Sequence, residues 1–104
     1  MIIVNTPDIA GKEIYQTLGI VKGNTIRAKN ILRDIGAGLK SIVGGELKDY
    51  TKMLSEARDE AVERMIAEAE KLGANAVINV RFASADIMSS AAEIMAYGTA
   101  VKIR

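Results

Sequence analysis

The stretch Gly44-Gly45-Glu46-Leu47-Lys48-Asp49-Tyr50, with the charged run that follows it to Gly73, decides how the rest of this chain is read. A glycine pair opens it and Gly73-Ala74-Asn75-Ala76 closes it. Between them Leu47, Tyr50, Leu54, Ala57, Ala61, Met65 and Leu72 recur at helical spacing, widened by Ile66 and Ala69. Lys52, Glu56, Asp59, Glu60, Glu63 and Arg64 fall on the opposite face. The spacing predicts one helix from Glu46 to Leu72. Glu46 and Asp49 suit the positive end of its dipole, and Gly73 supplies the left-handed residue that ends it. At 1.5 Å per residue that helix is roughly 40 Å long, against a diameter of about 26 Å for a compact domain of this size. Such a helix projects or lies along a partner, and the small residues Ala57, Ala61 and Ala69 favour the partner.

Downstream of Gly73, Val77-Ile78-Asn79-Val80-Arg81-Phe82 reads as a central strand. Asp86 to Tyr97 fits either state. Ile87, Ala91, Ile94 and Met95 have helical spacing, whereas as a strand Ala92, Ile94 and Ala96 share one face and Glu93, Met95 and Tyr97 the other. Gly98 to Arg104 closes the chain as a strand. Upstream, Asn30 suits the cap of a helix whose stripe is Ile31, Leu32, Ile35, Leu39, Ile42 and Val43, weakened by Gly36 and Gly38 and ended by Gly44-Gly45. Before it, Glu13 to Arg27 alternates with apolar residues on both sides, interrupted at Lys22-Gly23-Asn24 by a tight turn or a glycine bulge. Met1 to Val4 is a short β-prone segment that Pro7 confines to an edge.

Composition narrows the chemistry. The chain has 104 residues and reads as a single domain, 1–104, with 49% apolar residues but only 4% aromatics. It has no Cys, His or Trp. Disulfides and a histidine-based triad are therefore excluded, and the soft-metal donors thiolate and imidazole are missing. The N-terminus lacks the basic region and apolar length of a secretory signal, and no stretch reaches the ~20 apolar residues of a membrane helix. The expectation is a cytoplasmic protein. Net charge is +1, without the global basic field of a nucleic-acid binder. Of 14 bases and 13 acids, residues 46–71 hold five and eight, so the remainder is mildly basic. That asymmetry reads as a solvated helix face or as charge complementarity between subunits.

Several stretches, in order along nearly the whole chain, resemble the YbjQ-like family of small bacterial and archaeal proteins. They are Val21-Lys22-Gly23, Ile42-Val43-Gly44-Gly45-Glu46-Leu47 with Tyr50, Ala57-Arg58, Leu72-Gly73-Ala74-Asn75-Ala76-Val77, Val80-Arg81-Phe82, and Glu93-Ile94 with Ala96-Tyr97-Gly98-Thr99-Ala100-Val101. The resemblance implies an α+β fold with a β-α-β-β core, similar to a dodecin subunit. In it the long amphipathic helix lies on a small, mostly antiparallel sheet with a short extra edge strand, and residues 86–97 are mostly strand. It also implies a homo-oligomer, a ring of five, in which short extra strands help to join the subunits. The family's function is unassigned, and its heavy-metal-binding label comes over only as a label.

The residues offer few chemical sites. Thioethers remain at Met1, Met53, Met65, Met88 and Met95, where methionine usually fills a core. Glu46, Asp49 and Glu93 are candidate carboxylates for a hard cation at a subunit boundary, against the plainer role of the first two on the helix dipole. Gly44-Gly45-Glu46 offers backbone N–H groups to an anion but lacks the context of a phosphate loop. Arg58 and Glu93 interrupt apolar surroundings, so a structural or intersubunit ion pair is expected of them, with Tyr50 and Tyr97 lining the same region. No catalytic residue and no cofactor is expected. The reading is a scaffold or binding module that self-associates, binding neither nucleic acid nor membrane. The alternative is a metal ion or small ligand at subunit interfaces around Gly44, Gly45, Glu46, Tyr50, Arg58, Glu93 and Tyr97, and an acid–base enzyme using Glu93 or Asp86 is the third.

Overall fold

The computed structural model describes residues 1–28, 47–88 and 91–104. The helix expected from Asn30 to Val43, the Gly44-Gly45 pair and Glu46 lie outside the described residues. The elements are β1 (Ile2–Ile3), β2 (Ile14–Ala28), α1 (Leu47–Lys71), β3 (Ala76–Met88) and β4 (Ala91–Ile103). They form an α+β fold in which α1 packs on a four-stranded sheet of order β1-β3-β4-β2. β1 pairs with β3 in parallel, and the two longer pairings are antiparallel.

Alternation decides which side of the sheet the helix covers. Val101 and Ile103 of β4 are buried on one face. On the other face the buried residues are Val21, Gly23 and Thr25 in β2, and Ile94, Ala96, Gly98 and Ala100 in β4. These face α1, whose buried stripe is Ala57, Ala61, Met65 and Ala69, all 0% exposed. Three alanines at four-residue spacing let the helix backbone sit close to the strands. The Thr25 hydroxyl, buried with them, donates to the Ala57 carbonyl at 3.0 Å and so leaves no unpaired polar group beneath the helix. The helix ends as expected. Gly73 takes φ 83°, and the Gly73 and Ala74 amides close on the Glu70 and Ala69 carbonyls.

Two findings revise the sequence expectations, and one between them bears out what the resemblance implied. Lys22-Gly23-Asn24 is neither a turn nor a bulge: β2 runs straight through it, and its register shifts fall between Ile14 and Gln16 and between Thr17 and Gly19. Gly23 is small because α1 lies on it. Residues 86–97 are strand on either side of positions 89–90, completing an antiparallel β3–β4 pair. The long helix neither projects nor requires a neighbour along its length. It runs beside its own 13-residue strands, and at about 3.3 Å per residue these are longer than the helix. The chain is elongated accordingly, 55 × 26 × 16 Å, with a radius of gyration of 17.0 Å against about 13 Å for a compact domain.

The other side of the sheet is finished only in part. Val4, Ile9 and Ile14 pack over Ala76, Ile78, Val101 and Ile103, so the N-terminal segment roofs the end of the sheet where β3 begins. It is fixed there by the Val4 amide on the Val77 carbonyl and the Val80 and Asn79 amides on the Val4 and Thr6 carbonyls, each 3.0 Å. Asn79 has φ 53°, a left-handed conformation asparagine tolerates better than most residues, at a register shift in β3. Beyond this roof the far half of the sheet carries Ile20 and Ile26 at 82% and 60% exposure.

Candidate functional site

α1 packs on β2 and β4 and scarcely reaches β3. Val77 and Val80 are buried against the helix, but beyond them no described element covers the helix side of β3, and Phe82, Ser84 and Asp86, which share that face, are all exposed. Between this strip and the helix runs a cleft of about 570 Å³, walled by Met53, Leu54, Phe82 and Ile94, with Arg27 and Arg58 at its rim. That volume falls in the range of ligand pockets, and its composition, apolar with a few polar groups, is of the usual kind. Arg58 forms no ion pair among the described residues, whereas Asp86 has an interaction of its own.

Arg27 belongs to a clamp that ties the helix to β2. Its Nη2 lies 2.8 Å from Glu60 Oε2, with the side chains 31% and 34% exposed. Glu60 also accepts from Arg64, and the other end of the Arg64 guanidinium donates to the Asn24 carbonyl on β2. One carboxylate thus anchors two guanidinium groups, the first reaching up from the strand and the second reaching down to it. Glu60→Ala is expected to cost about 1–2 kcal/mol in urea unfolding, because it strands two partly desolvated cations. Glu68→Ala, which removes an exposed helical pair with Lys71, is expected to cost less than about 0.5 kcal/mol. Equal costs for the two substitutions would count against the clamp.

The expected Arg58–Glu93 pair is not made within the chain, and alternation explains why. Glu93 is opposite Ile26 on β2 and Ala85 on β3, so it shares their face, away from the helix. Arg58 is on the helix. The sheet separates them, and Glu93, half-buried, accepts a hydrogen bond of 3.0 Å from the Asn24 amide. Tyr97 lies on the same open face, opposite Lys22 on one side and Arg81 on the other. Glu93 and Tyr97 therefore fall together, and Arg58 stands apart beside the cleft. Tyr50 falls in the first turn of α1. Gly44, Gly45 and Glu46 lie outside the described residues.

Sequence reasoning missed Arg27, Glu60 and Asn24 as site residues. One signal was present: position 27 shares the parity of Val21, Gly23 and Thr25, which puts its side chain under the helix. Its partner, Glu60, is 33 positions downstream, and their meeting depends on how the helix lies across the strand.

For a heavy metal the donor set does not fit. The chain has no Cys or His, and among the described residues no three carboxylates come together in a group that could hold an ion. The half-buried carboxylate, Glu93, faces an amide donor, which satisfies it without a cation. Among the described residues no helix is long and apolar enough to cross a membrane.

A family model, YbjQ_1, described as "Putative heavy-metal-binding", matches residues 1–104. A UPF0145 protein from Halorubrum lacusprofundi is 59% identical over 104 residues, covering 100% of each chain. Another UPF0145 protein, from Dehalococcoides mccartyi, is 62% identical over 101 residues, 97% of each chain. Among solved structures, a protein of unknown function of the DUF74 family from Pediococcus pentosaceus superposes with a TM-score of 0.65 at 18% identity, covering 100% of this chain and 98% of that one. At that identity the likeness is one of fold.

Proposed function

The chain belongs to the YbjQ family, and we propose that within it the subunit is a self-associating scaffold or binding module, assembled as the ring of five that the resemblance implies. The observation that carries this reading is the unfinished sheet. Among the described residues one helix covers part of one face and the N-terminal segment covers part of the other, and the molecule is only 16 Å thick. Two layers of that thickness leave Ile20, Ile26 and Phe82 in water at 82%, 60% and 51% exposure. Ile20 and Ile26 share the open face of β2 and Phe82 lies on the helix side of β3, so apolar residues are exposed at both borders of the sheet, where another protein can cover them. The occupant that the resemblance implies is another copy of this chain.

Light scattering at micromolar concentration is expected to give about five times the subunit mass, because a closed ring is the usual end of a head-to-tail contact. A monomer at that concentration overturns the reading. A second reading, a small ligand held at the subunit boundaries, draws support from the cleft beside β3, where Arg58, which has no ion pair among the described residues, joins the apolar wall of Met53, Leu54 and Phe82. Native mass spectrometry of gently purified protein distinguishes the two by the presence or absence of a retained mass.

A further inference from the structure

Self-association leaves open which surfaces meet, and resting on that reading we infer that the outer edge of β2 pairs, as a parallel strand, with residues 81–87 of β3 from the next copy. β2 is 15 residues long, and it pairs with β4 on one side and with no strand among the described residues on the other. Bare edges of that length are normally defended by proline, inward charge or a cover. β2 contains no proline, and beyond its early register shifts its charges are Lys22 and the Arg27 that Glu60 pairs, with the Arg64 guanidinium at the Asn24 carbonyl.

The direction of its backbone groups follows from the clamp. Because the Asn24 carbonyl accepts from Arg64, which reaches it from outside the β2–β4 ladder, Asn24 turns its carbonyl outward. The N–H and C=O of one strand residue point the same way, and successive residues alternate. Lys22 and Ile26 therefore also present N–H and C=O outward, while Gly23 and Thr25 are turned to β4.

The opposite border of the sheet has a matching opening. β1 and the residues after it close β3 from Ala76 to Val80. From residue 81 to residue 87 no strand lies outside β3 among the described residues. The two openings stand at the same height, since Lys22, Tyr97 and Arg81 are aligned across three strands, as are Ile26, Glu93 and Ala85. Both β2 and β3 are antiparallel to β4 and so run in the same direction. Copies related by rotation about an axis along the strands keep that direction and that height. The junction is then head-to-tail, the kind that closes into a ring, whereas β2 against β2 would stop at a dimer.

The side chains agree with this placement. On the open face the large Ile26 of β2 comes beside the small Ala83 and Ala85 of the neighbouring β3. On the other face α1, which lies above β2, arrives next to the unroofed strip of the neighbour, where Phe82 is 51% exposed. One contact thus completes two edges and roofs the cleft.

Amide hydrogen exchange by NMR on the assembled protein tests the junction. The outward N–H groups of Lys22 and Ile26 are expected to be protected at least ~100-fold over an unfolded chain, as the ladder groups of Gly23 and Thr25 are. Lys22→Pro, which removes an outward donor and no ladder donor, is expected to raise the concentration at which the assembly dissociates at least tenfold over Lys22→Ala. If the protein is an oligomer whose Lys22 and Ile26 amides exchange freely, this junction is overturned and self-association stands. A monomer overturns both. Should Lys22→Pro fail to fold, exchange in the unmodified chain still decides.

Discussion

Replacing Gly23 with alanine is expected to destabilise the fold by about 3 kcal/mol or more, the scale of severe overpacking in a core. A Cβ at position 23 would stand 2.1 Å from the Ala61 carbonyl oxygen, 2.4 Å from the Met65 backbone nitrogen and 2.8 Å from Arg64 Cβ. Two of these are helix backbone, which no side-chain rotation can move aside. The helix as a whole must lift from the strand. That movement opens the contacts of Ala57, Ala61, Met65 and Ala69 and stretches the Thr25–Ala57 hydrogen bond. The conformation itself is not the obstacle, because Gly23 is not among the glycines of positive φ. Urea unfolding of Gly23→Ala measures the effect. A loss within ~0.5 kcal/mol, the range of ordinary surface substitutions, would mean that α1 does not sit this close.

That position also shows where sequence reading stops. A glycine inside an alternating strand has the same local signature whether the chain bulges there or another backbone crosses it. The deciding facts are Ala61 and Met65, nearly forty residues downstream, and nothing at positions 22–24 encodes them. By contrast α1 was legible almost to the residue, Glu46 to Leu72 expected and Leu47–Lys71 found, because an apolar stripe and a glycine terminator are local properties. The strand state of residues 86–97 had to come from family resemblance, since alanine-rich alternation satisfies a helical and an extended template equally well. The helix length misled for a different reason. It was measured against a compact sphere, and the sheet is itself long enough to carry it.

The candidate site was legible in its residue types more than in its geometry. Arg58 and Glu93 stand out in the sequence as charges among small and apolar neighbours, and the fold leaves Arg58 exposed and Glu93 half-buried. Within one chain they do not meet, because of parity, which needs the β2–β4–β3 register before it can be applied; a pair between subunits is a separate matter. Glu93 had its neutral partner, Asn24, two positions from Ile26 on the adjacent strand, and a hydrogen-bonded amide there removes the need for a counter-charge. Arg58 retains the chemistry that remains unassigned: a cation beside an apolar wall, on the side of the molecule where the next copy's helix arrives in the proposed junction.

Met65→Ala is expected to cost about 3 kcal/mol, within the 2–5 kcal/mol typical of deleting a large buried side chain. Met65 is 0% exposed and is the long side chain in a stripe otherwise made of Ala57, Ala61 and Ala69. It fills the space that those alanines leave between helix and sheet, against Val21, Val77 and Ala100 in the same cluster. The alanines cannot move in to replace it, because the helix backbone is already held at contact distance by Gly23. The gap therefore stays open, which is the condition for a cost toward the upper part of the range. Met65→Leu, close in volume, is expected to lose less than about 1.5 kcal/mol. Thermal unfolding followed at several protein concentrations separates this effect from assembly, since the midpoint of a coupled oligomer moves with concentration. Met65→Ala should lower the midpoint at every concentration and leave the slope with concentration unchanged, because the Met65 side chain is 0% exposed and reaches no neighbouring copy. Ile26→Lys should do the reverse, steepening or abolishing the concentration dependence while the isolated subunit keeps its stability. If Met65→Ala instead dissociates the assembly without lowering subunit stability, the interior position of this side chain is wrong, and with it the order of layers from which the open face and the two free edges were deduced.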